Sequence, residues 1–422
     1  MSKSISEAVL PSNNATGNHD DTIDPWQRLT LPRIPLVPDE ILRRNSVYFE
    51  HDSRFRAAAR LLACLWLRDN DIPTGIYVGK KADDAVTMEL GSCLSPEAAR
   101  AGKNFLSPSI HRITRHAVIL QEEGAQIDED RLFGNALSSM PLVFNLFGPM
   151  VIDPRLATSV FRRLLPTFVH TVEHIAFEHS PGRREQRFLA DGTAFDLALR
   201  VVTPEGEHGT VFIEIKYTED PAAGPGARLR ESYDEASREV HLFKDPDSHA
   251  LRSFACEQFW REHMLAQLAV DQGVVSRAMF IVISPRLNRR VNAAVRLYQN
   301  ELIDVDDRDT NRVDFQALTL ESIIDAMAEA GATEIARALW HRYADFQRIL
   351  DLSLLEFDAK AEFSASTAAV IESNNEADQQ KLPVVSSTDK RPLQSRSSAR
   401  RAVGTGSRDS SRKPSSTTEG AC

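Results

Sequence analysis

Cysteine is scarce: Cys64, Cys93, Cys256 and Cys422 are scattered over 422 residues with no C-x-x-C pair. That spacing suggests neither a disulfide framework nor a cysteine zinc site, and it fits a reducing cytoplasm. No run of about eighteen apolar residues occurs. No charged segment followed by an apolar stretch opens the chain, so neither a membrane span nor a secretory leader is expected. Positive charge is in deficit, with a formal net charge of −10. This argues against a wholesale coat of nucleic acid, whose affinity comes largely from Lys and Arg neutralising phosphates, and leaves room only for a local basic groove. Several reaction motifs are missing too. "YVGKK" at 77–81 lacks the G-x-x-x-x-G-K-[ST] loop of nucleotide motors, and neither G-x-S-x-G nor H-E-x-x-H occurs. His170, His174 and His179 do not suggest zinc, because an i, i+4 pair in a strand lies about 13 Å apart.

What is present is a dense middle between two polar ends. The hydrophobic fraction of 42% is ordinary for a globular protein and promises a sizeable core. Residues 1–25 are rich in Ser, Asn and Asp; the stretch 357–422, above all from about Glu372 onward, mixes Ser, Thr, Arg and Lys with almost nothing apolar. Neither end can bury enough surface to offset the entropy of ordering, so both are expected to be mostly disordered. The C-terminal tail is net basic and reads either as a loose arm on nucleic acid or as a solvated terminus. Between the ends the pattern predicts a helical N-terminal region (26–165), a core (166–305) and a helical C-terminal extension (306–356).

Helices are signalled by Phe55, Ala59, Leu62 and Trp66, by Ser95-Pro96 and Asp153-Pro154 as cap and first helical residue, and by two periodic pieces either side of Gly331. "SSMPLVFNLFGPM" (138–150) is too apolar for a surface loop and is expected under a sheet. Strands are signalled by "TVEHIAFEHS", "TAFDLALRVV" and "GTVFIEIKYT", a meander joined by turn-rich segments. Helical stretches at about 229–243 and 256–273 follow, then a short buried strand, "RAMFIVIS" (277–284).

The second and third strands carry charge where apolar residues are expected. In "FDLALRVVTPEGEHGTVFIEIKYTE" (195–219), period-two alternation puts Val211, Ile213, Ile215 and Tyr217 on one face, with Phe212, Glu214, Lys216 and Thr218 on the other. In the preceding strand Phe195, Leu197, Leu199 and Val201 lie together, opposite Asp196, Ala198 and Arg200. A turn centred near Glu205 makes Glu214 the cross-strand partner of Asp196. Two carboxylates facing each other repel, and a divalent cation resolves the conflict; Mg²⁺ suits one or two carboxylates completed by water and phosphate oxygens. Metal-dependent hydrolysis of a phosphodiester, with Lys216 orienting or activating water, is the chemistry implied. A bare [DE]-x-K triplet decides nothing, since Asp358-Ala359-Lys360 repeats it at a helix end with no hairpin. A salt-bridged solvent face on an edge hairpin stays open beside the metal reading.

The Asp196…Glu214-x-Lys216 arrangement resembles the PD-(D/E)XK nuclease superfamily. "NALSSMPLVFNLFGPM", "FEHSPGRREQRFLADGTAFDLAL", "FIEIKYTE" and "EQFWREHMLAQLAV" are similar to blocks of a bacterial group in it, described as putative restriction endonucleases, and the likeness spans roughly residues 47–350. The resemblance implies an α+β fold: a restriction-endonuclease-like core whose mixed central sheet is flanked by helices. It implies Asp196 and Glu214 as ligands of Mg²⁺ or Mn²⁺ and Lys216 as the catalytic lysine. Phe195 stands where the superfamily's name has Pro, a position that supplies no ligand. Glu178 is the best placed candidate for a further acidic ligand, with an exposed strand-end charge as its other reading. From the helix after the (D/E)-x-K strand, Gln258 and Arg261 are candidates to face substrate, although Arg261 also fits an ordinary surface charge. Asp191 is expected to shape the turn before its strand. Arg286, Arg289 and Arg290 either contact phosphates or cap a helix. The implied partner is nucleic acid, DNA above RNA, with a homodimer compatible with cutting two strands. A catalytically inactive binding module on the same scaffold is the alternative.

Overall fold

Ser53, Ser95, Ser107, Ser138 and Asp153 each stand one residue ahead of a helix, where the side-chain oxygen accepts from a backbone N–H of the first turn. These caps divide the N-terminal part into short helices. The computed structural model describes residues 31–80, 85–219, 230–304 and 311–379. The chain runs through α1 (Asp39–Arg44), α2 (Arg54–Asp69), β1 (Thr74–Lys80), β2 (Ala85–Leu94), α3 (Pro96–Arg100), α4 (Pro108–Ile119), α5 (Glu129–Gly134), α6 (Ser139–Ile152) and α7 (Pro154–Leu164). The core follows as β3 (Thr171–His179), β4 (Phe195–Val202), β5 (His208–Ile215), α8 (Glu231–Glu239), α9 (Glu257–Asp271), β6 (Ala278–Ser284), α10 (Arg289–Glu301) and β7 (Asp314–Thr319). Finally come α11 (Leu320–Glu329), α12 (Thr333–Tyr343) and α13 (Phe346–Gln379).

The main sheet has five strands in the order β3-β4-β5-β6-β7. The first three are antiparallel, and β6 and β7 join in parallel. Every residue of β6 is buried, as a parallel strand covered on both faces requires. On one face, Leu197, Leu199, Val211, Ile213 and Ile281 pack with residues of α2, α6, α7 and α11–α13. On the other, Ala198, Phe212, Phe280 and Val282 pack with α8, α9 and α10. The fold is therefore mixed α+β, consistent with a restriction-endonuclease-like core. As expected, the apolar stretch around residue 144 lies beneath the sheet: it forms α6, and Phe144 stacks on Phe177 at 4.4 Å.

Several details differ from the sequence expectations. The sheet does not end at residue 305, because β7 adds a fifth strand at Asp314–Thr319. The region read as helical at 26–165 contains the β1–β2 hairpin, which pairs Tyr77 with Met88 and takes residues 77–80 into its first strand. α13 continues past residue 356 to Gln379. Phe195 departs from the alternation: it stacks on Phe212 at 4.3 Å and joins the face of Ala198, not that of Leu197. The expectations for residues 1–25 and for the last part of the tail lie outside the described residues. Among those described, no helix is long and apolar enough to cross a membrane.

Ile281 is fully buried at the middle of β6, paired to both neighbouring strands. Ile281→Ala is expected to cost about 2–5 kcal/mol. The check is urea unfolding followed by circular dichroism, with a lower midpoint at unchanged slope. A loss under about 0.5 kcal/mol would remove β6 from the centre of the core.

Candidate active site

Register decides which charges meet. Leu197 pairs with Ile213 and Ala198 with Phe212, and that register continued by one residue brings Asp196 beside Glu214, the pairing that turn arithmetic around Glu205 predicts. Phe177 pairs with Leu197 and His179 with Phe195, which brings Glu178 opposite Asp196 on the other side. Glu178, Asp196 and Glu214 thus stand near enough to one another for their charges to repel. The ladder is deformed at its outer end, where Glu178 adopts a left-handed backbone with φ of 50°. Such strain in a non-glycine residue persists only where its surroundings hold it. Here Arg183 does so, donating to the Glu178 carbonyl at 2.9 Å and standing 3.8 Å from its carboxylate.

Lys216 follows directly after β5. Its backbone N–H still donates to Ile283 on β6, and Tyr217 next to it is locked into the opposite core, its hydroxyl donating to the Tyr343 carbonyl at 3.2 Å. The lysine side chain therefore leaves from a rigid point. Its Nζ donates to Glu214 Oε1 and to Gln258 Oε1, both at 2.6 Å. Gln258, in the first turn of α9, donates through Nε2 to Glu214 Oε1 at 2.8 Å and to Glu262 Oε1 at 2.7 Å. Asp196 Oδ2 accepts from the Ile215 N–H at 2.8 Å, which ties the two strands together at the site.

The structure brings Asp196, Glu214, Lys216 and Gln258 together, with Glu178 nearby. Arg261 it places elsewhere. That guanidinium donates to Glu257 at 2.9 Å and to Thr193 Oγ1 at 2.7 Å, and lies 3.5 Å from Asp191, so it is consumed in holding the turn before β4. Asp191 shapes that turn as expected, accepting from the Thr193 N–H, the Thr193 hydroxyl and the Tyr233 hydroxyl. Arg286 reaches the Leu31 carbonyl, and Arg289 and Arg290 begin α10. Glu262 was not among the sequence candidates. Its signal is a carboxylate inside a helix buried over most of its length, four residues after Gln258 and so on the same face.

Charge is unbalanced at the rung. Burial first, and the charge of Glu214 second, push Asp196 well above the usual carboxylate range. The same two causes push Glu262 up, and burial with the nearby Glu214 raises Glu178 despite Arg183. Burial opposes the charge of Lys216, but Glu214, Glu262 and Glu219 outweigh it and raise its pKa, so it stays an ammonium. Glu262 is 1% exposed, and its Oε2 has no hydrogen-bond partner. Excess buried carboxylate with an orphaned oxygen is what a hard divalent cation would relieve. Among the described residues, no three His, Cys, Asp or Glu side chains converge into a ready-made cluster. Asp196 and Glu214 are donors of the kind that a cation such as Mg²⁺ takes together with water and phosphate oxygens.

Asp196 carries a testable consequence. Its folded pKa lies above the unfolded value of about 3.9, so ionisation disfavours the folded state, and stability falls as pH rises from about 4 through the folded pKa. In EDTA, Asp196→Asn is expected to be more stable than wild type at pH 7–8, with the gain fading near pH 4. Thermal melts across that range check it, and an Asn variant less stable at neutral pH would contradict the buried repulsion.

A family model described as the PD-(D/E)XK nuclease superfamily matches residues 50–345. No curated protein and no solved structure matches the chain. The matched span includes every residue of the site and most of the chain, so the protein belongs to the PD-(D/E)XK nuclease superfamily.

Proposed function

We propose that the protein is a divalent-metal-dependent nuclease that hydrolyses phosphodiester bonds in DNA. The observation that carries this reading is the Asp196–Glu214 rung with the Lys216 ammonium 2.6 Å from Glu214, at the end of an otherwise apolar hairpin. In it, Asp196 and Glu214 hold Mg²⁺ or Mn²⁺, with Glu178 as an outer acidic partner. When bound, the cation polarises the scissile phosphate, lowers the pKa of its water and neutralises the leaving oxygen.

The chain's own groups do the rest. Lys216 acts as a hydrogen-bond donor, its ammonium held between Glu214 and Gln258. Two of its three N–H donors are occupied by Glu214 and Gln258, and the third serves the attacking water or a non-bridging phosphate oxygen. Gln258 keeps the ammonium in line with Glu214, so the donor is in place before charge develops. Cutting both strands of a duplex calls for two such sites, and a homodimer belongs to this reading.

Purified protein is expected to cleave plasmid or linear DNA in Mg²⁺ or Mn²⁺ and to stop in EDTA. Glu214→Ala and Lys216→Ala are each expected to slow cleavage by about 10²–10⁴-fold. Cleavage that persists unchanged in both variants removes the site assignment. Parallel lanes with single-stranded DNA and RNA decide the substrate, and RNA cleavage without DNA cleavage overturns the DNA assignment. Failure of Mn²⁺ to bind folded wild type, read by calorimetry, defeats the catalytic reading. A second copy is checked by light scattering with and without duplex DNA.

A further inference from the structure

Glu262 has no task in the reaction just described, yet it occupies an expensive position. Its side chain is buried in α9, one oxygen accepts from Gln258 Nε2 at 2.7 Å, and the other has no partner. A fold selected for stability alone gains by placing an apolar residue of similar volume there, since an unsatisfied buried carboxylate is strongly unfavourable. We infer that Glu262 is a positioning residue: it fixes the orientation of the Gln258 amide and, through it, the position of the Lys216 ammonium. The catalytic consequence rests on the nuclease reading above.

The hydrogen bonds leave the amide no freedom. Gln258 Nε2 has two N–H groups, one directed to Glu214 Oε1 at 2.8 Å and one to Glu262 Oε1 at 2.7 Å, while its Oε1 accepts from Lys216 Nζ at 2.6 Å. A reversed amide would aim N–H groups at an ammonium and its oxygen at two carboxylates, which mismatches every contact. With Glu262 gone, only Glu214 and Lys216, the two groups of the site itself, select the orientation. Glu214 is also a proposed metal ligand, so its lone pairs are in demand when the site is loaded. Glu262 supplies an anchor that does not compete with that task, in the way hydrogen-bond partners outside a ligand shell set the aim of those within it.

The test uses full-length Glu262→Leu, Glu262→Gln, Gln258→Leu and the Glu262→Leu/Gln258→Leu pair. Glu262→Leu is expected to lower kcat about 10–100-fold with little change in KM, while its Tm stays equal to or above that of wild type. Glu262→Gln keeps the acceptor and is expected to recover most of the loss. Gln258→Leu is expected to match Glu262→Leu, and the pair to be no slower than either single variant, because both break one link. Independently of activity, the Lys216 Nζ signal in ¹⁵N-lysine-labelled protein, assigned by its loss in Lys216→Arg, is expected to shift in Glu262→Leu and to stay in place in Glu262→Gln. An unmoved signal with unchanged kcat in Glu262→Leu overturns the inference, as does Glu262→Gln being as slow as Glu262→Leu. If Glu262→Leu does not fold, Glu262→Met, which also removes the acceptor at similar volume, takes its place in the same comparisons. A wild type that cleaves no nucleic acid defeats the nuclease reading, and the Lys216 signal still decides the positioning role.

Discussion

Repulsion between carboxylates across a covered sheet governs everything around it in this protein. The register of β4 against β5 brings Asp196 beside Glu214, and that of β3 against β4 adds Glu178 close by. In water such a row would relax by moving apart or by solvation. Here the strands cannot slip by one residue without turning Leu197, Ile213 and their neighbours out of a core packed on that face by seven helices. Hydrophobic burial thus enforces an electrostatic arrangement that would never form on its own account.

The surroundings answer that repulsion incompletely, and the incompleteness is informative. Lys216 touches Glu214, and Gln258 brings a neutral amide between Glu214 and Glu262 where a second cation would have quenched the charge. Arg261, one turn further along the same helix and long enough to be such a cation, is instead drawn away by Glu257, Asp191 and Thr193. A guanidinium in the pocket would satisfy the carboxylates permanently, because it cannot lose its proton. Spending Arg261 on the turn before β4 does two things: it fixes the start of the strand that carries Asp196, and it leaves the negative charge available to a cation from solution.

Much of this was legible in the chain itself, for reasons that can be traced. The β4–β5 hairpin has a short turn and, from Leu197 onward, regular pairing, so counting outward from Glu205 predicts Asp196 against Glu214. β6 is apolar from Ala278 to Ile283, and the caps at Ser95 and Asp153 are local chemistry. What escaped depends on distant partners. β7, "DFQALT", is only half-buried and polar at alternate positions, and it becomes a strand because β6 offers it a parallel edge. Phe195 breaks the alternation because Phe212 and Phe280 offer an aromatic pocket on the other side of the sheet. Arg261 looked like a partner of Gln258 at spacing i, i+3, but helix geometry lets neighbours three apart diverge toward different partners, and Asp191 lies 70 positions away in sequence. Glu262 was passed over because a charged residue in a helix is ordinarily solvated. Only the burial of α9 between the sheet and its own neighbours makes it exceptional.

The division of labour between the two sheet faces follows from these constraints. One face carries an apolar core reaching from α2 to α13, with Tyr217 tying the residue after Lys216 to α12. The other carries aromatic packing under α8, α9 and α10, and at the end of β5 gives way to polar contacts with the first turn of α9. A helix begins there with its dipole positive, which favours carboxylates close by without neutralising them. Stability is thus concentrated on the face away from the charged rung. That separation lets the site keep buried, mutually repelling groups whose individual penalties a small domain with a single core could not absorb.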